Sequence, residues 1–509
     1  MRTPSDKGLR RSGGTCRSGC QVGEIPRPYG RLVPDVTARL SSTQPTVPAA
    51  SVVVVGGGIT GLAAAYEIAR SAPSIRLLVV EASDRLGGVI RTSVVAGSAI
   101  EEGPDAFLAR VPHAVDLCRE IGLSPELVSP RTTKAYFWTN GTLRPIPREI
   151  VLGVPAGFAS IAASGILSAE GLARASLDLV LPKSHIEGDV SVERLVTERF
   201  GKEVFERLVD PMLGGVYAGG AERLSAAATI PDAVRLARSH RSLSLALRKH
   251  RKRSRTSGPV FLTPRSGLER LVERIREGLG RSDVRTGVRA EVITRGRHGF
   301  QVRTPEGVPL AADAVIVTTP AFAAAPLLRE VAPDSVAALE TIEYASVATV
   351  TLAYHRGALA GPLDGNGFLV PSADGRFIVG CTWMTSKWPQ LAGADHAIIR
   401  CAVGRAGDAR WVALDDDDIV ARVHAELVQA VGVRAAPVET RVSRFPRSMP
   451  QYTVGHLERV AGIEASLPSG IVVAGAGYRG IGIPGCIAQG RAAAKRVLGI
   501  LSERDAVSS

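Results

Sequence analysis

The chain has 509 residues, 45% hydrophobic and 22% charged, with a net charge of +13. The length exceeds one hydrophobic core and implies two or three domains, and the composition is that of a soluble globular protein rather than a low-complexity chain. The positive excess favours acidic partners, anionic membranes or nucleic acid in general, without choosing among them.

In chain order, residues 1–50 are rich in Arg, Ser, Pro and Gly and carry no apolar period, so a disordered tail is expected. No apolar stretch follows the basic start, which argues against a secretory signal. A translation start placed too far upstream would give the same pattern. Residues 51–58 (SVVVVGGG) read as a buried strand ending in a glycine turn. Residues 59–70 read as a helix and 75–81 (IRLLVVE) as a second buried strand, giving a β-α-β unit. Residues 114–121 read as a helix, and 136–147 as a hairpin about Asn140-Gly141.

Residues 150–169 form a twenty-residue uncharged stretch, the length of a membrane span. Pro155 and several Gly and Ser favour a buried or surface-associated helical segment instead. Residues 150–250 have helical spacing. The basic run 248–255 reads as a solvated loop at a boundary, with contact to an anionic lipid surface as the sharper alternative. A helix is expected over 268–279, a buried strand at 314–320, a strand entering a glycine turn at 471–477, and a helix over 487–498. The six cysteines, at 16, 20, 118, 381, 401 and 486, form no C-x-x-C pair. They suit a reducing compartment and offer no metal-ligand spacing.

The chemistry concentrates in the glycine turns. Gly56, Gly57, Gly58, Ile59, Thr60 and Gly61 contain G-x-G-x-x-G between a strand and a helix. The first Gly permits the turn, the second lets the backbone approach a pyrophosphate, and the third lets the helix pack close to the sheet. The helix N-terminus offers free N–H groups to the phosphates. Glu81, twenty residues beyond Gly61, ends the second strand, where a carboxylate accepts ribose hydroxyls. Downstream, Arg85, Gly87, Gly88 and Arg91 suggest an extended ligand; surface charge is the alternative for the arginines. The glycine-rich segment 475–485 reads as a second wall for the same ligand, or as a packing device.

These motifs resemble the FAD signature of amine-oxidase-like flavoproteins. Residues 51–498 resemble the oxygen-dependent protoporphyrinogen and coproporphyrinogen oxidases. The markers are VGGGITGLAAAYE, EASDRLGGVIRT, EEGPDAFL (101–108), GGVYAGGAERLS (214–225), GFLVPS (367–372), PQYTVGH (450–456) and AGAGYRGIGIPGCIAQGRAA (474–493). The resemblance implies an α/β fold with a discontinuous Rossmann-type FAD-binding domain (51–105, 258–330, 465–509). It further implies an inserted α+β substrate domain (106–149, 331–464), a helical subdomain (150–257) and the tail 1–50.

By the same resemblance, FAD would contact Gly56 to Gly61, Glu81, Ala82, Arg85, Gly88 and Val89. Gly103, Pro104, Asp105 and Ala106 would lie near the flavin, Val288 would meet the adenine through its backbone, and Ala476, Ile481, Gly482 and Ile483 would close the flavin end. Gly215, Leu369 and Ala402 match positions lining the porphyrin pocket. Some members carry a propionate-pairing Arg where this chain has Ala135; Lys134, Arg144 or Arg148 would substitute, or be surface charges.

No catalytic side chain and no metal site is expected, because flavin does the redox work. The implied reaction is six-electron oxidation of coproporphyrinogen III in haem synthesis, with O2 as acceptor; protoporphyrinogen IX is the alternative substrate. Another flavin oxidase or desaturase, acting on an amine or carotenoid, and a flavin-carrying protein without turnover are the other classes weighed. A cytoplasmic location is expected, with peripheral membrane contact through 150–255, transient contact with a downstream chelatase and no nucleic acid.

Overall fold

The computed structural model describes residues 50–253, 258–297 and 299–508. The expected tail, Cys16, Cys20 and the end of the basic run lie outside them. Strand Ser51–Val55 is buried throughout. It sits at the centre of a five-stranded sheet in the order Asp283–Arg285, Arg76–Val80, Ser51–Val55, Ala314–Val317, Ile471–Val473. Every pair is parallel, and Val52 faces Leu77 on one side and Ala314 on the other.

A parallel sheet must be covered on both faces, and the alternation of the strand does this. Val52 and Val54 enter a core with helices Ile59–Ser71 and Gly482–Ser508. Val53 and Val55 enter a second core with helices Ala321–Leu328, Pro333–Glu340 and His456–Ser466. Each fully buried valine contributes about 1.5–3 kcal/mol. The carboxyl ends of these strands all deliver loops to one edge, where ligands of open α/β sheets bind.

A seven-stranded sheet stands beside it, in the order Glu439–Pro450, Tyr344–His355, His396–Val403, Ile378–Trp383, Gly367–Leu369, Tyr136–Thr139, Thr142–Pro145. Its last two strands are the expected hairpin, turning through Asn140 (φ 50°) and Gly141 (φ 74°). The helices between residues 159 and 253 form a separate core against one face of this sheet.

Three local expectations need correction. Residues 150–169 are not one helical segment. Strands Ile150–Val151 and Val154–Pro155 flank a turn at Leu152 and Gly153, and the helix is only Ala159–Ser164. The cause is a close approach: a Cβ on Gly153 would lie 2.4 Å from Leu208 O. The basic run is not a loop as far as Arg253, because helix Leu243–Arg253 carries it. Leu243, Ala246 and Leu247 are buried at helical spacing, and cations suit a helix C-terminus. The C-terminal helix starts at Gly482, five residues before the expected start at Ile487. Among the described residues, no helix is long and apolar enough to cross a membrane.

Candidate functional site

Each glycine of the first turn has its own geometric reason. Gly56 has φ 109°, closed to most side chains. A Cβ on Gly61 would lie 1.9 Å from Gly56 O, so only Gly lets the helix start this close to the strand. Gly58 differs: its φ is −71°, and a Cβ there would meet nothing within 4 Å. It caps helix Ile59–Ser71 without a side-chain acceptor, so no side chain satisfies the first N–H groups of the helix. Gly87 N donates to Gly57 O at 2.9 Å, and a Cβ on Gly88 would be 3.4 Å from Gly58 Cα. The second glycine pair therefore lies against the first.

Glu81 Oε2 accepts from Gly57 N at 2.6 Å, and Oε1 from Ser83 N at 2.8 Å. Ser83 Oγ also donates to Oε1 at 2.8 Å, which leaves lone-pair capacity on Oε2 for a hydroxyl donor. Val288 N donates to the backbone carbonyl of Glu81 at 2.9 Å, which ties the Val288 backbone to the end of that strand. Ala82 and Val89 are exposed along the groove. The Arg85 guanidinium donates to Gly88 O at 2.8 Å, to Ile90 O and to Glu269 Oε1 at 3.2 Å. Arg85 thus braces the turn, and Arg91 pairs with Glu102 at 3.3 Å.

The C-terminal glycine loop meets the same helix start. A Cβ on Gly475 would be 3.8 Å from Thr60 Oγ1, and one on Gly482 (φ 81°) would meet nothing within 4 Å. Ile483 is buried, and Ala476 packs on the same core. Tyr452 OH donates to Ala476 O at 2.6 Å and accepts from Gly480 N at 2.9 Å. His456 stacks on the Tyr452 ring, centroids 3.9 Å apart and 15° between planes. Its Nε2 is 2.7 Å from Tyr478 O, a pure acceptor, so Nε2 carries the proton. Burial lowers the His456 pKa to about 4, so the ring is neutral near pH 7.

Residues 101–106 reach the groove from another direction. A Cβ on Gly103 would lie 2.1 Å from Val89 O. Pro104 and Ala106 are half-buried. Asp105 pairs with Lys387 at 2.6 Å and with Arg400 at 3.8 Å. Burial alone would push its pKa up; Lys387 and Arg400 outweigh it and hold the carboxyl at about 2. Arg400 also donates to Glu101 O and Gly103 O, both at 2.7 Å. Burial pushes the Glu101 carboxyl up to about 7, against donors Leu268 N and Thr92. These open glycines, two helix N-termini and the strand-end carboxylate fit an extended dinucleotide of the FAD type.

The expected pocket residues lie on the second sheet and the helix above it. One lateral row runs Thr349, Ala402, Gly380, Leu369, Phe137 across five strands. Residues paired across strands share a face. Gly380 and Ala402 keep that face low. A Cβ on Gly215, in helix Asp210–Tyr217, would lie 3.1 Å from Leu369 Cδ2, and one on Gly380 3.2 Å from the same atom. Leu369 and Ile481 both border the helical core.

Lys134 is not brought there. It pairs with Asp364 at 3.1 Å, beside Tyr136 OH, which donates to Asp364 at 2.6 Å. Tyr136 belongs to the core on the other face of the sheet from Leu369. Arg144 donates to Ser164 O, and Arg148 is exposed. Cavities of about 310 and 430 Å3, lined by Trp138 and Arg376 and by Arg131 and Arg356, border neither Gly215 nor the glycine turns. The sequence reasoning gave no role to Gln451, Tyr452, His456, Lys387 or Arg400. The string PQYTVGH was the signal for the first three. Gln451 donates to Tyr217 O at 2.8 Å, so that string ties GGVYAGG to the C-terminal glycine loop.

The model of the flavin-containing amine oxidoreductases matches residues 59–498. A coproporphyrinogen III oxidase of Bacillus subtilis is 37% identical over 461 residues, 88% of this chain and 97% of that protein. A chloroplastic protoporphyrinogen oxidase of Oryza sativa subsp. japonica is 30% identical over 498 residues, 91% of this chain and 90% of that protein. A solved structure from Exiguobacterium sp. 255-15, provisionally described as a protoporphyrinogen oxidase, superposes with a TM-score of 0.79 at 33% identity. It covers 88% of this chain and 98% of that one.

Proposed function

This chain belongs to the flavin-containing amine oxidoreductase family, and within it we propose that the protein oxidises coproporphyrinogen III to coproporphyrin III. The observation that carries the reading is the low floor at Gly380 and Ala402, under Gly215 and Leu369. A flat, wide macrocycle needs such a floor. The relative named for coproporphyrinogen III supports this substrate over protoporphyrinogen IX, whose oxidase is the more distant match.

When bound, FAD supplies the two-electron acceptor for hydride removal. The overall balance is loss of six electrons and six hydrogens from the macrocycle, as three O2 become three H2O2. The chain's own work is positioning. The turns at Gly58 and Gly482 would offer N–H groups to the pyrophosphate and the flavin end, and Glu81 would accept ribose hydroxyls. Tyr452 and His456 hold residues 476–480 at fixed height. Asp105, Lys387 and Arg400 hold residues 101–105 against the second sheet. Leu369 and Phe137 keep the floor dry.

A cytoplasmic location with peripheral membrane contact fits the exposed Leu177, Leu179, Val180 and Leu245 and the cations of helix Leu243–Arg253. Release from anionic vesicles by salt supports that contact; equal binding to neutral vesicles opposes it. Transient hand-over to a chelatase is the corresponding proposal for the product. Turnover of both purified porphyrinogens tests the function. Faster oxidation of coproporphyrinogen III supports it, and oxidation of an amine alone overturns it.

A further inference from the structure

We propose that Arg405 receives a substrate carboxylate at the rim of the Gly215 pocket and so determines specificity, an inference that rests on the porphyrinogen reading above. A guanidinium has five N–H donors in a planar fork. Several cations around the second sheet are committed to carboxylates. Lys387 and Arg400 share Asp105, Arg207 pairs with Asp374, and Lys134 with Asp364. Arg405 is half-buried, and its guanidinium has no hydrogen-bond or ion-pair partner among the described residues.

The carboxylates nearest in charge to Arg405 are engaged elsewhere. Asp210 accepts from Ala221 N at 3.3 Å and from Ser372 N at 3.0 Å. Asp408 pairs with Arg410 at 2.7 Å. Glu222 is solvent-exposed. Burial disfavours the charge on Arg405 and lowers its pKa, so an arriving carboxylate would relieve a standing penalty.

Its place in the fold is equally specific. Arg405 follows the floor residue Ala402 by three positions, so their Cα atoms are at most about 11 Å apart. Gly404 turns the strand end at φ 87°. Ala406 N donates to Ala218 O at 2.7 Å, pinning this turn to the segment that carries Gly215. Asp210, which acts electrostatically on Arg405, is the first residue of the Gly215 helix. A carboxylate projecting from a ring over Gly380 and Ala402 would meet an uncommitted fork, which binds carboxylates bidentately. The role left vacant at Ala135 is thereby filled from the turn after strand His396–Val403.

The test titrates FAD-loaded wild type, Arg405→Gln and Arg405→Lys with coproporphyrin III and with its tetramethyl ester, following fluorescence quenching. Arg405→Gln is expected to weaken acid binding by about 10- to 100-fold and leave ester binding unchanged. Arg405→Lys, which keeps the charge and loses the fork, should fall between. Acid binding by Arg405→Gln at wild-type strength, or equal loss of acid and ester, overturns the proposal. If Arg405→Gln fails to retain FAD, Arg405→Lys decides: weakened acid binding with intact ester binding supports the role, and unchanged binding overturns it. Wild type that binds neither porphyrin overturns the functional reading itself.

Discussion

The phenol of Tyr452 bridges the backbone of the C-terminal glycine loop, donating to Ala476 O at 2.6 Å and accepting from Gly480 N at 2.9 Å. Tyr452→Phe removes both bonds and keeps the ring on His456. Leaving such groups unpaired costs about 1–3 kcal/mol. FAD affinity is expected to fall roughly 5- to 150-fold, with a small change in melting temperature. Equilibrium dialysis of FAD together with a thermal melt checks this; unchanged affinity would remove Tyr452 from the cofactor's support.

Two alanine substitutions in one turn should behave differently. In Gly61→Ala the new Cβ collides with Gly56 O, so the fold itself suffers. In Gly58→Ala the backbone is permissive and the space is open. Gly58→Ala should therefore melt like wild type as apoprotein and yet retain little FAD. Apoprotein melts and the ratio of flavin to protein after purification separate the two. Normal FAD content in Gly58→Ala would mean that no pyrophosphate lies there.

The pH dependence of stability has opposed contributions. Asp105 is held at about 2, below the ordinary carboxylate value, so its stabilisation is present above about pH 4 and is lost as pH falls through 2. His456 is depressed to about 4, so its contribution is complete above about pH 6.5 and is lost as pH falls through 4. Glu101 is raised to about 7, so its contribution is full below about pH 4 and is lost as pH rises through 7. Glu101→Gln should flatten the decline between about pH 4 and 7. Urea melts across pH read these slopes. Asp105→Asn leaves Lys387 and Arg400 without their carboxylate, and is expected to cost about 3–5 kcal/mol at pH 7.

A Cβ on Gly215 would lie 3.1 Å from Leu369 Cδ2, so a larger group there displaces that side chain and fills the space beside it. Gly215→Val should raise KM for the porphyrinogen at least tenfold while FAD content stays normal. Steady-state kinetics with a flavin spectrum of each sample tests the split. Loss of FAD in parallel with activity would point to a structural role instead.

The nucleotide sheet was readable in the sequence because its signals are local. SVVVV, the glycine turn and Glu81 fall within one short unit, and Gly56, Gly57 and Gly61 each have a steric reason that their neighbours impose. The grouping of Gly215, Leu369 and Ala402 came only from resemblance, since they are related through strand register and helix packing. The bond from Tyr452 to the glycine loop spans 24 and 28 residues, and the pairing of Lys134 with Asp364 spans 230. No period or spacing encodes such contacts. The stretch 150–169 misled for a related reason. Its apolar content marked burial, but the close approach of Gly153 to Leu208, far along the chain, set its backbone.

The most direct test of the account is anaerobic mixing of the FAD-loaded protein with coproporphyrinogen III. The account predicts bleaching of the visible flavin band together with the appearance of porphyrin fluorescence, and return of the flavin band when O2 is admitted. A flavin that stays oxidised with coproporphyrinogen III, in a sample that a chemical reductant bleaches, would contradict it.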